Sequence, residues 1–196
     1  MKLNALVGSG LFFAALALTA SAAAAPGPNL VRDGSFEHPN VDGSLIEFTA
    51  PSSFGVAEQP WKVVAGNVDI HGTFQQAEIG NQSLDLNGDR PGTIEQDIPT
   101  APGQTYLIRF WLAGNPSPAC PFSIKRLTVS WAGSKVVTLS FDITGHSEQD
   151  MGWKQHTYMV TAQSSVTTLR FESLKPNEGD QRCGPMLDRI KVRAVS

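Results

Sequence analysis

Residues 83–115, SLDLNGDRPGTIEQDIPTAPGQTYLIRFWLAGN, decide the fold of this chain. The segments 83–86 and 93–98 place apolar residues at every second position. The turn-forming pairs Asn87-Gly88 and Pro91-Gly92 lie between these segments. The pattern predicts a strand, a turn and a second strand.

A third strand is predicted after Pro102-Gly103. The apolar residues of its core side are Tyr106, Ile108, Phe110 and Leu112. The opposite side carries Leu107, Arg109 and Trp111. A strand that exposes an Arg and a Trp is typical of a sandwich in which one sheet also binds a ligand. The alternative is that Trp111 packs beneath a loop, because tryptophan is highly buried on average.

The composition indicates one globular, all-β domain. The chain has 196 residues, of which 41% are hydrophobic and 17% charged. Its 18 Gly and 13 Pro are scattered, and no long amphipathic helical pattern appears. The net charge is −3 with dispersed Lys and Arg, which excludes the basic footprint of a nucleic-acid-binding protein. It also slightly disfavours polyanions such as pectate, unless calcium bridges them.

The N-terminal segment predicts export. Residues 1–25 carry Lys2, an apolar run from Leu6 to Leu18 and small residues up to Ala25. We therefore expect a cleaved signal peptide at 1–25 and one β-sandwich domain at 26–196. No second hydrophobic segment follows, so we expect a secreted protein, extracellular or periplasmic, without a membrane anchor.

The only two cysteines are Cys120 and Cys183. In an exported protein, a disulfide between them is the expected state. Zinc binding would need more ligands at short spacing, and the chain has no Cys-x-x-Cys motif for redox chemistry. The bridge would join the loop after the Trp111 strand to the last strand.

The remaining segments predict further short strands, giving about ten in all. We expect two short strands in 29–37, a long surface loop and candidate binding rim in 38–60, hairpins formed by 61–65 with 68–72, 122–131 with 135–141 and 153–162 with 166–173, and a closing strand at 186–193. The predicted fold is an antiparallel β-sandwich of the jelly-roll type.

The closing segment CGPMLDRIKV contains a carboxylate at a position that predicts burial. If Ile190 and Val192 face the core, the period of two places Asp188 on the same face. An unpaired carboxylate there would be costly. Either backbone amides and a nearby cation satisfy it, or a structural calcium ion does, with Glu37 as a second ligand.

Catalytic motifs are absent from the sequence outside the leader. The only Gly-x-Ser-like element lies in residues 8–10, and the four histidines lack metal-ligand spacing. A glycoside hydrolase would need two facing carboxylates. The carboxylates Glu37, Glu47, Asp69 and Asp85 are scattered along the chain. We therefore expect a non-catalytic protein.

A series of motifs carries a family resemblance. The motifs are NLVRDGSFE, WKVVAGNVDIHG, SLDLNGDRPGTIEQDI, PGQTYLIRFWLAGNP, MGW at 151–153 and CGPMLDRIKV. In this order they resemble domain-of-unknown-function family 642, which includes plant cell-wall proteins and bacterial relatives labelled choice-of-anchor C. The resemblance implies a galactose-binding-like β-sandwich similar to carbohydrate-binding modules. It also supports Cys183 as a disulfide partner and, by analogy with related modules, Glu37 and Asp188 as calcium ligands.

The predicted function is recognition of an extracellular or cell-wall polysaccharide by stacking of sugar rings on aromatic side chains. The candidate ligand-binding residues are Trp111, Arg109, Trp153, Gln155 and Trp61. The inward direction of Tyr158 and Val160 sets the phase that turns Trp153 and Gln155 outward. For each tryptophan, burial in the core is the alternative. The alternative functions are a protein-interaction or structural role in the cell envelope or a biofilm, and, less favoured, a glycan hydrolase.

Overall fold

The computed structural model describes residues 27–120, 122–175 and 181–195. The predicted leader at 1–25 lies outside the described residues. These residues form two antiparallel sheets of six strands each, which confirms the predicted all-β sandwich. Nowhere in these three ranges is there a helix long and apolar enough to cross a bilayer.

Strands are numbered in chain order. The first sheet contains, from edge to edge, β1 (Leu45–Thr49), β4 (Asn67–His71), β5 (Ser83–Asp85), β12 (Pro185–Ala194), β7 (Thr105–Gly114) and β10 (Lys154–Thr161). The second sheet contains β2 (Ser52–Phe54), β3 (Trp61–Ala65), β6 (Thr93–Pro99), β11 (Val166–Ser173), β8 (Ile124–Trp131) and β9 (Ser134–Asp142).

The core lies between the two sheets, as the alternation in β7 predicts. Ile108 and Phe110 are fully buried, whereas Arg109 and Trp111 on the other face are half-buried. The Phe110 ring meets Phe171 of the opposite sheet edge-on at 5.2 Å between centroids. Full burial of such a side chain contributes about 2 kcal/mol to folding. The outward face of the first sheet is therefore the surface on which Arg109 and Trp111 lie.

The predicted pairing of β8 with β9 is confirmed. These strands turn at Ala132-Gly133, where φ is 51° and 76°. Positive φ at both central residues matches the right-handed twist of a two-residue hairpin.

Two other predicted hairpins are wrong. β3 and β4 lie in different sheets, and so do β10 and β11, which pairs with β6 and β8 instead. Gly66, at φ 61°, is the single residue that carries the chain from β3 to β4, and a Cβ there would lie 1.9 Å from the Pro91 carbonyl oxygen. Period-two alternation shows which face is buried. It does not show whether the next strand pairs alongside or packs across the core.

The N-terminal predictions are also corrected. Residues 29–37 form turns and irregular backbone rather than two strands. The segment 38–60, predicted as one long loop, contains β1 and β2 at edges of the two sheets. Most of β1 is exposed, so the segment lacks a clean alternation signal.

Candidate functional site

The outer face of the first sheet brings together three of the predicted ligand-binding residues. Trp111 lies directly opposite Gln155 in the β7–β10 ladder, and Arg109 lies opposite Thr157. Tyr158 and Val160 are half-buried while Gln155 and Thr157 are exposed, so the predicted phase of β10 is confirmed. Trp111, Arg109 and Gln155 thus share one surface.

Trp111 is not an open stacking platform. The Arg189 guanidinium lies 4.7 Å from the centroid of the indole ring. The same guanidinium forms an ion pair with Glu78 at 2.9 Å. A cation held over an aromatic face in this way contributes about 0.5–1 kcal/mol. One face of the ring is therefore already covered.

The other two tryptophans occupy different environments. Trp61 has no exposed surface and its Nε1 donates to the Asp33 carbonyl oxygen at 3.1 Å. The prediction that Trp61 binds a surface ligand is wrong, because β3 turns this side chain inward, toward Phe36. Trp153 is half-buried, and its Nε1 donates to the Gln76 carbonyl oxygen at 3.0 Å.

Asp188 lies on the outer face rather than the core face. It pairs with Trp111 in the β7–β12 ladder, and the register then shifts before Lys191. Arg189, at φ 50°, and the core residue Ile190 form this bulge. Because side chains alternate between the two faces of a strand, an extra residue reverses the faces of the residues that precede it. The prediction from simple alternation was wrong for that reason.

Backbone amides satisfy the buried Asp188 carboxylate. Its Oδ2 accepts hydrogen bonds from the amides of Glu78 at 2.8 Å and Ile79 at 2.9 Å. The side chain is completely buried, and this burial raises its pKa to about 7. Asp188 thereby anchors the segment 78–82 to the sheet.

Glu37 anchors the other end of that segment. Its Oε1 accepts the amides of Asn81 at 3.0 Å and Gln82 at 3.2 Å. These amides donate to Oε1 of Glu37 and Oδ2 of Asp188, two of the oxygens that a cation would need. In the described part of the chain, no group of three or more His, Cys, Asp or Glu residues could hold a metal ion. A structural calcium ion stays a prediction.

A cleft of about 340 Å³ lies at the β1–β4–β5 end of the same face. Glu47, Asp69 and Asp85 stand opposite one another across these three strands. We call this region the acidic cleft, lined by Leu45, Glu47, Asp69, His71, Phe74, Gln75, Asp85, Asn87, Gly88, Asp89, Asn115, Ser117, Glu148, Arg182 and Cys183. Leu45 and Glu47 belong to the segment 38–60 that was predicted as a candidate binding rim, whereas none of the lining residues was among the five predicted ligand-binding residues.

Asp85 is the buried centre of the acidic cleft. Its Oδ1 accepts the amides of Asn87 at 2.8 Å and Gly184 at 2.7 Å. Its Oδ2 accepts Nδ2 of Asn115 at 2.8 Å. Burial raises the pKa of Asp85. Because Asp85 is almost completely buried and already accepts three hydrogen bonds, it organises the floor of the cleft.

His71 links Asp85 to the rest of the cleft. Its Nδ1 lies 2.9 Å from Oε1 of Gln75, whose Nε2 donates to Oδ1 of Asn115 at 3.0 Å. Burial alone would lower the pKa of His71, but Asp69, Asp85 and Gln75 outweigh it and raise the pKa. A chain of polar groups therefore fixes the cleft floor.

Two buried oxygens at the cleft have no hydrogen-bond partner among the described residues, namely Asp69 Oδ1 and Asn87 Oδ1. The Asn87 side chain forms its hydrogen bond through Nδ2, to the Gln181 carbonyl oxygen. Burial is also the main cause that raises the pKa of Asp69. Buried polar atoms are nearly always paired in native proteins, so these two oxygens require an explanation.

Glycine and apolar side chains shape the space around these oxygens. A Cβ added at Gly88 would lie 2.8 Å from Glu47 Oε2 and 3.0 Å from Asp69 Oδ1. Both carboxylates thus approach the same point above bare backbone. Leu45 is 47% exposed, and the half-buried Phe74 ring lies 5.0 Å from the His71 ring. The cleft offers both polar and apolar contacts.

The predicted disulfide is confirmed and borders the acidic cleft. Cys120 and Cys183 are bonded with their Cα atoms 5.8 Å apart. The bridge ties the loop after β7 to the segment before β12. It closes a loop of about 60 residues, for which chain entropy gives about 4 kcal/mol of stabilisation.

A sequence signal for the cleft did exist. NVDIH at 67–71 and SLDLN at 83–87 both alternate polar and apolar residues. Alternation alone places Asp69 with His71 on one face, and Asp85 with Asn87 on one face. The sequence did not show that β4 pairs with β5, and this pairing brings the two polar faces together.

Comparisons with known proteins come from sequence and from structure. Halomucin of Haloquadratum walsbyi is 29% identical over 167 residues, which are 84% of this chain and only 2% of halomucin. A family 35 carbohydrate-binding module from Clostridium thermocellum aligns with TM-score 0.47 and 13% identity, over 76% of this chain and 97% of the module. The CBM22-1 xylan-binding domain of Paenibacillus barcinonensis Xyn10C aligns with TM-score 0.45 and 19% identity, over 79% of this chain and 96% of that domain.

The family assignment comes from a family model. The model of DUF642, described as a protein of unknown function, matches residues 29–193. The motifs that carry the predicted resemblance lie within this range, whereas the link to choice-of-anchor C proteins stays a prediction. The chain belongs to the DUF642 family.

Proposed function

We propose that this chain is a secreted, non-catalytic carbohydrate-binding module that holds a neutral extracellular polysaccharide in the acidic cleft. The observation that carries the proposal is the cleft itself. It combines unpartnered buried oxygens with exposed apolar side chains above an ordered polar floor. Small-molecule sites have this combination of a shaped cavity and a few placed polar groups.

The polar groups suit sugar hydroxyls. Asp69 Oδ1 and Asn87 Oδ1 are acceptors without a donor, and a hydroxyl supplies one. A hydrogen bond to a charged group contributes about 1.5–3 kcal/mol. The carboxylates Glu47, Asp69 and Asp89 repel an anionic sugar, so the cleft favours an uncharged one.

The apolar groups suit the flat face of a sugar ring. Phe74 and Leu45 line the cleft beside these acceptors. An aromatic ring provides apolar contact area with a fixed orientation. The predicted stacking mechanism is thus kept, but in this proposal Phe74 takes the place of the predicted tryptophans.

Export and the non-catalytic role are parts of the same proposal. The Cys120–Cys183 disulfide favours an oxidising, extracellular or periplasmic location. Asp85 is buried and holds three donors of the scaffold, which supports a structural rather than a catalytic role for this carboxylate. A protein partner in place of the polysaccharide is an outcome that the experiment must detect.

The test is binding to a panel of soluble neutral polysaccharides, namely xylan, galactan, mannan and β-glucan, by affinity electrophoresis and calorimetry. We expect at least one to bind. Asp69→Asn and Phe74→Ala should each weaken that binding at least tenfold, which corresponds to about 1.4 kcal/mol. Glu58→Gln changes an exposed acid outside the cleft and should leave binding unchanged.

Three results would overturn the proposal. One is that no polysaccharide in the panel binds, as a purely protein partner predicts. Another is that folded Asp69→Asn and Phe74→Ala proteins, verified by thermal unfolding, bind as tightly as the parent chain. The third is release of new reducing ends from the bound polysaccharide, which would identify a hydrolase.

A further inference from the structure

A second charged region lies on the outer face of β7 and β12. Arg109 stands directly opposite Lys191, and Arg193 stands opposite Leu107, whose other neighbour is Met159 of β10. We call Arg109, Lys191 and Arg193 the basic face. All three side chains are half-buried, so they lie against the sheet rather than extending into solvent.

The cations of the basic face have no acidic partners. Within residues 27–120, 122–175 and 181–195, none of the three forms an ion pair. Arg193 donates to the Gly27 carbonyl oxygen at 3.1 Å, and the buried Nε of Arg109 has no acceptor. Burial, followed by the charges of Arg189, Arg193 and Arg109, lowers the pKa of Lys191. The nearby acid, Glu78, is engaged by Arg189.

Two cations of the second sheet, in contrast, form ion pairs with acidic side chains. Arg170 lies opposite Glu95 in the ladder and pairs with it at 2.8 Å, and Lys62 pairs with Asp97 at 2.7 Å. Like charges directly opposite each other destabilise a sheet, by about 0.2–1 kcal/mol per pair. Arg170 and Lys62 of the second sheet thus have acidic partners, whereas Arg109 and Lys191 of the first sheet face each other.

The neighbours of the basic face indicate a sugar polymer as its ligand. Met159, 67% exposed, and Leu107 provide an apolar strip beside the three cations. A uronic-acid chain presents repeated carboxylates together with apolar ring faces, and so matches both features. Single-stranded nucleic acid needs open aromatic rings for its bases, and the Trp111 ring is covered by Arg189.

We propose that Arg109, Lys191 and Arg193 form a second binding surface, for the carboxylates of an acidic, uronate-bearing polysaccharide. Arg109 and Arg193 supply planar donor groups suited to carboxylates, and Lys191 adds a compact charge between them. The net charge of −3 predicted that polyanions are disfavoured, but the local arrangement of charge reverses that expectation on this face.

The experiment is calorimetric titration of the full chain with oligogalacturonate and with its methyl ester, at 20 mM and 300 mM NaCl. We expect binding of the free acid, weakening at high salt, and no binding of the ester at this surface. The double variant Arg109→Gln/Lys191→Gln should bind the acid at least tenfold more weakly. Arg109→Lys/Lys191→Arg keeps the charge and should retain most of the binding. Lys135→Gln, on exposed β9, is the matched control.

Equal binding by the folded double variant would overturn this proposal. So would equally tight binding of a DNA oligonucleotide of the same charge, because the surface would then be a non-selective polyanion site. Binding of neutral polysaccharide depends on Asp69 and Phe74, which lie in the acidic cleft. The double variant should leave that binding intact, so either proposal can fail without the other.

Discussion

The acidic cleft and the basic face lie on the same sheet and both place like charges opposite each other, but they differ in how the buried charge is hydrogen-bonded. In the cleft, Asp85 is surrounded by three donors from three different segments. On the basic face, Arg109 and Lys191 face each other, and neither forms an ion pair with the residues that the structure describes. The donors offset the cost of burying Asp85, whereas the like charges of Arg109 and Lys191 have no such compensation among the described residues.

This difference separates two uses of polar residues. A buried charge with satisfied hydrogen bonds is part of the scaffold, and removing its partner is costly. Half-buried like charges without partners cost the free protein some stability, and an anionic ligand would relieve that cost. Only Asp69 and Asn87 in the cleft share this unsatisfied character, which is why they, and not Asp85, are the proposed contacts.

The largest expected effect that tests this comparison is at Asp85. Asp85→Ala removes the acceptor of three buried donors, and we expect the free energy of unfolding to fall by about 3–5 kcal/mol. Asp89→Ala, at an exposed acid of the same cleft, should change it by less than about 0.5 kcal/mol. Chemical denaturation measures both. Equal effects of the two variants would contradict a scaffold role for Asp85.

The next effect concerns Asp188, which lies between the two regions beside Trp111. Its folded pKa of about 7 exceeds the ordinary value of 3.8, so the folded state binds this proton more tightly than the unfolded state. The associated stability is fully present below about pH 4 and is lost as the pH rises through 7. The linkage gives at most about 4 kcal/mol.

Asp188→Asn should remove this pH dependence, since the amide does not titrate. The measurement is the free energy of unfolding of both proteins between pH 4 and pH 8, with the variant serving to subtract the other titrating groups. A parent and a variant with parallel pH profiles would show that Asp188 keeps an ordinary pKa.

The smallest expected effect is a gain in the free energy of unfolding rather than a loss. Lys191→Gln relieves the repulsion with Arg109, and we expect it to stabilise the free protein by about 0.5 kcal/mol. Lys62→Gln breaks the exposed pair with Asp97 and should destabilise it by about 0.5 kcal/mol. Thermal unfolding of the two variants, side by side, measures the contrast. Destabilisation by Lys191→Gln would mean that the basic face has partners in the free protein.

The sequence predicted which face of a strand is buried far better than it predicted which strands lie next to each other. The alternation in β7 placed Phe110 inside and Trp111 outside, and both positions are observed. The same alternation in β3 and in β4 suggested one hairpin, but Gly66 sends the two strands to different sheets. Trp61, predicted as a binding residue, lies with Val63 on the core face of β3.

The candidate sites show the same limit. Asp69 and Asp85 are 16 positions apart with no motif between them, and only the β4–β5 ladder makes them neighbours. Arg109 and Lys191 are 82 positions apart and meet through the β7–β12 ladder. The bulge at Arg189 also moved Asp188 from its predicted core face to the outer face, beside Trp111.

The sequence alone thus determined the all-β class, the expectation of export, the disulfide partners and the buried face of most strands, because each depends on local periodicity or on residue counts. The tertiary structure alone decided which strands are neighbours and therefore which charges meet. Strand pairing joins residues distant in the chain through backbone N–H and C=O groups that every residue type except proline carries, so side-chain identity leaves it largely unspecified.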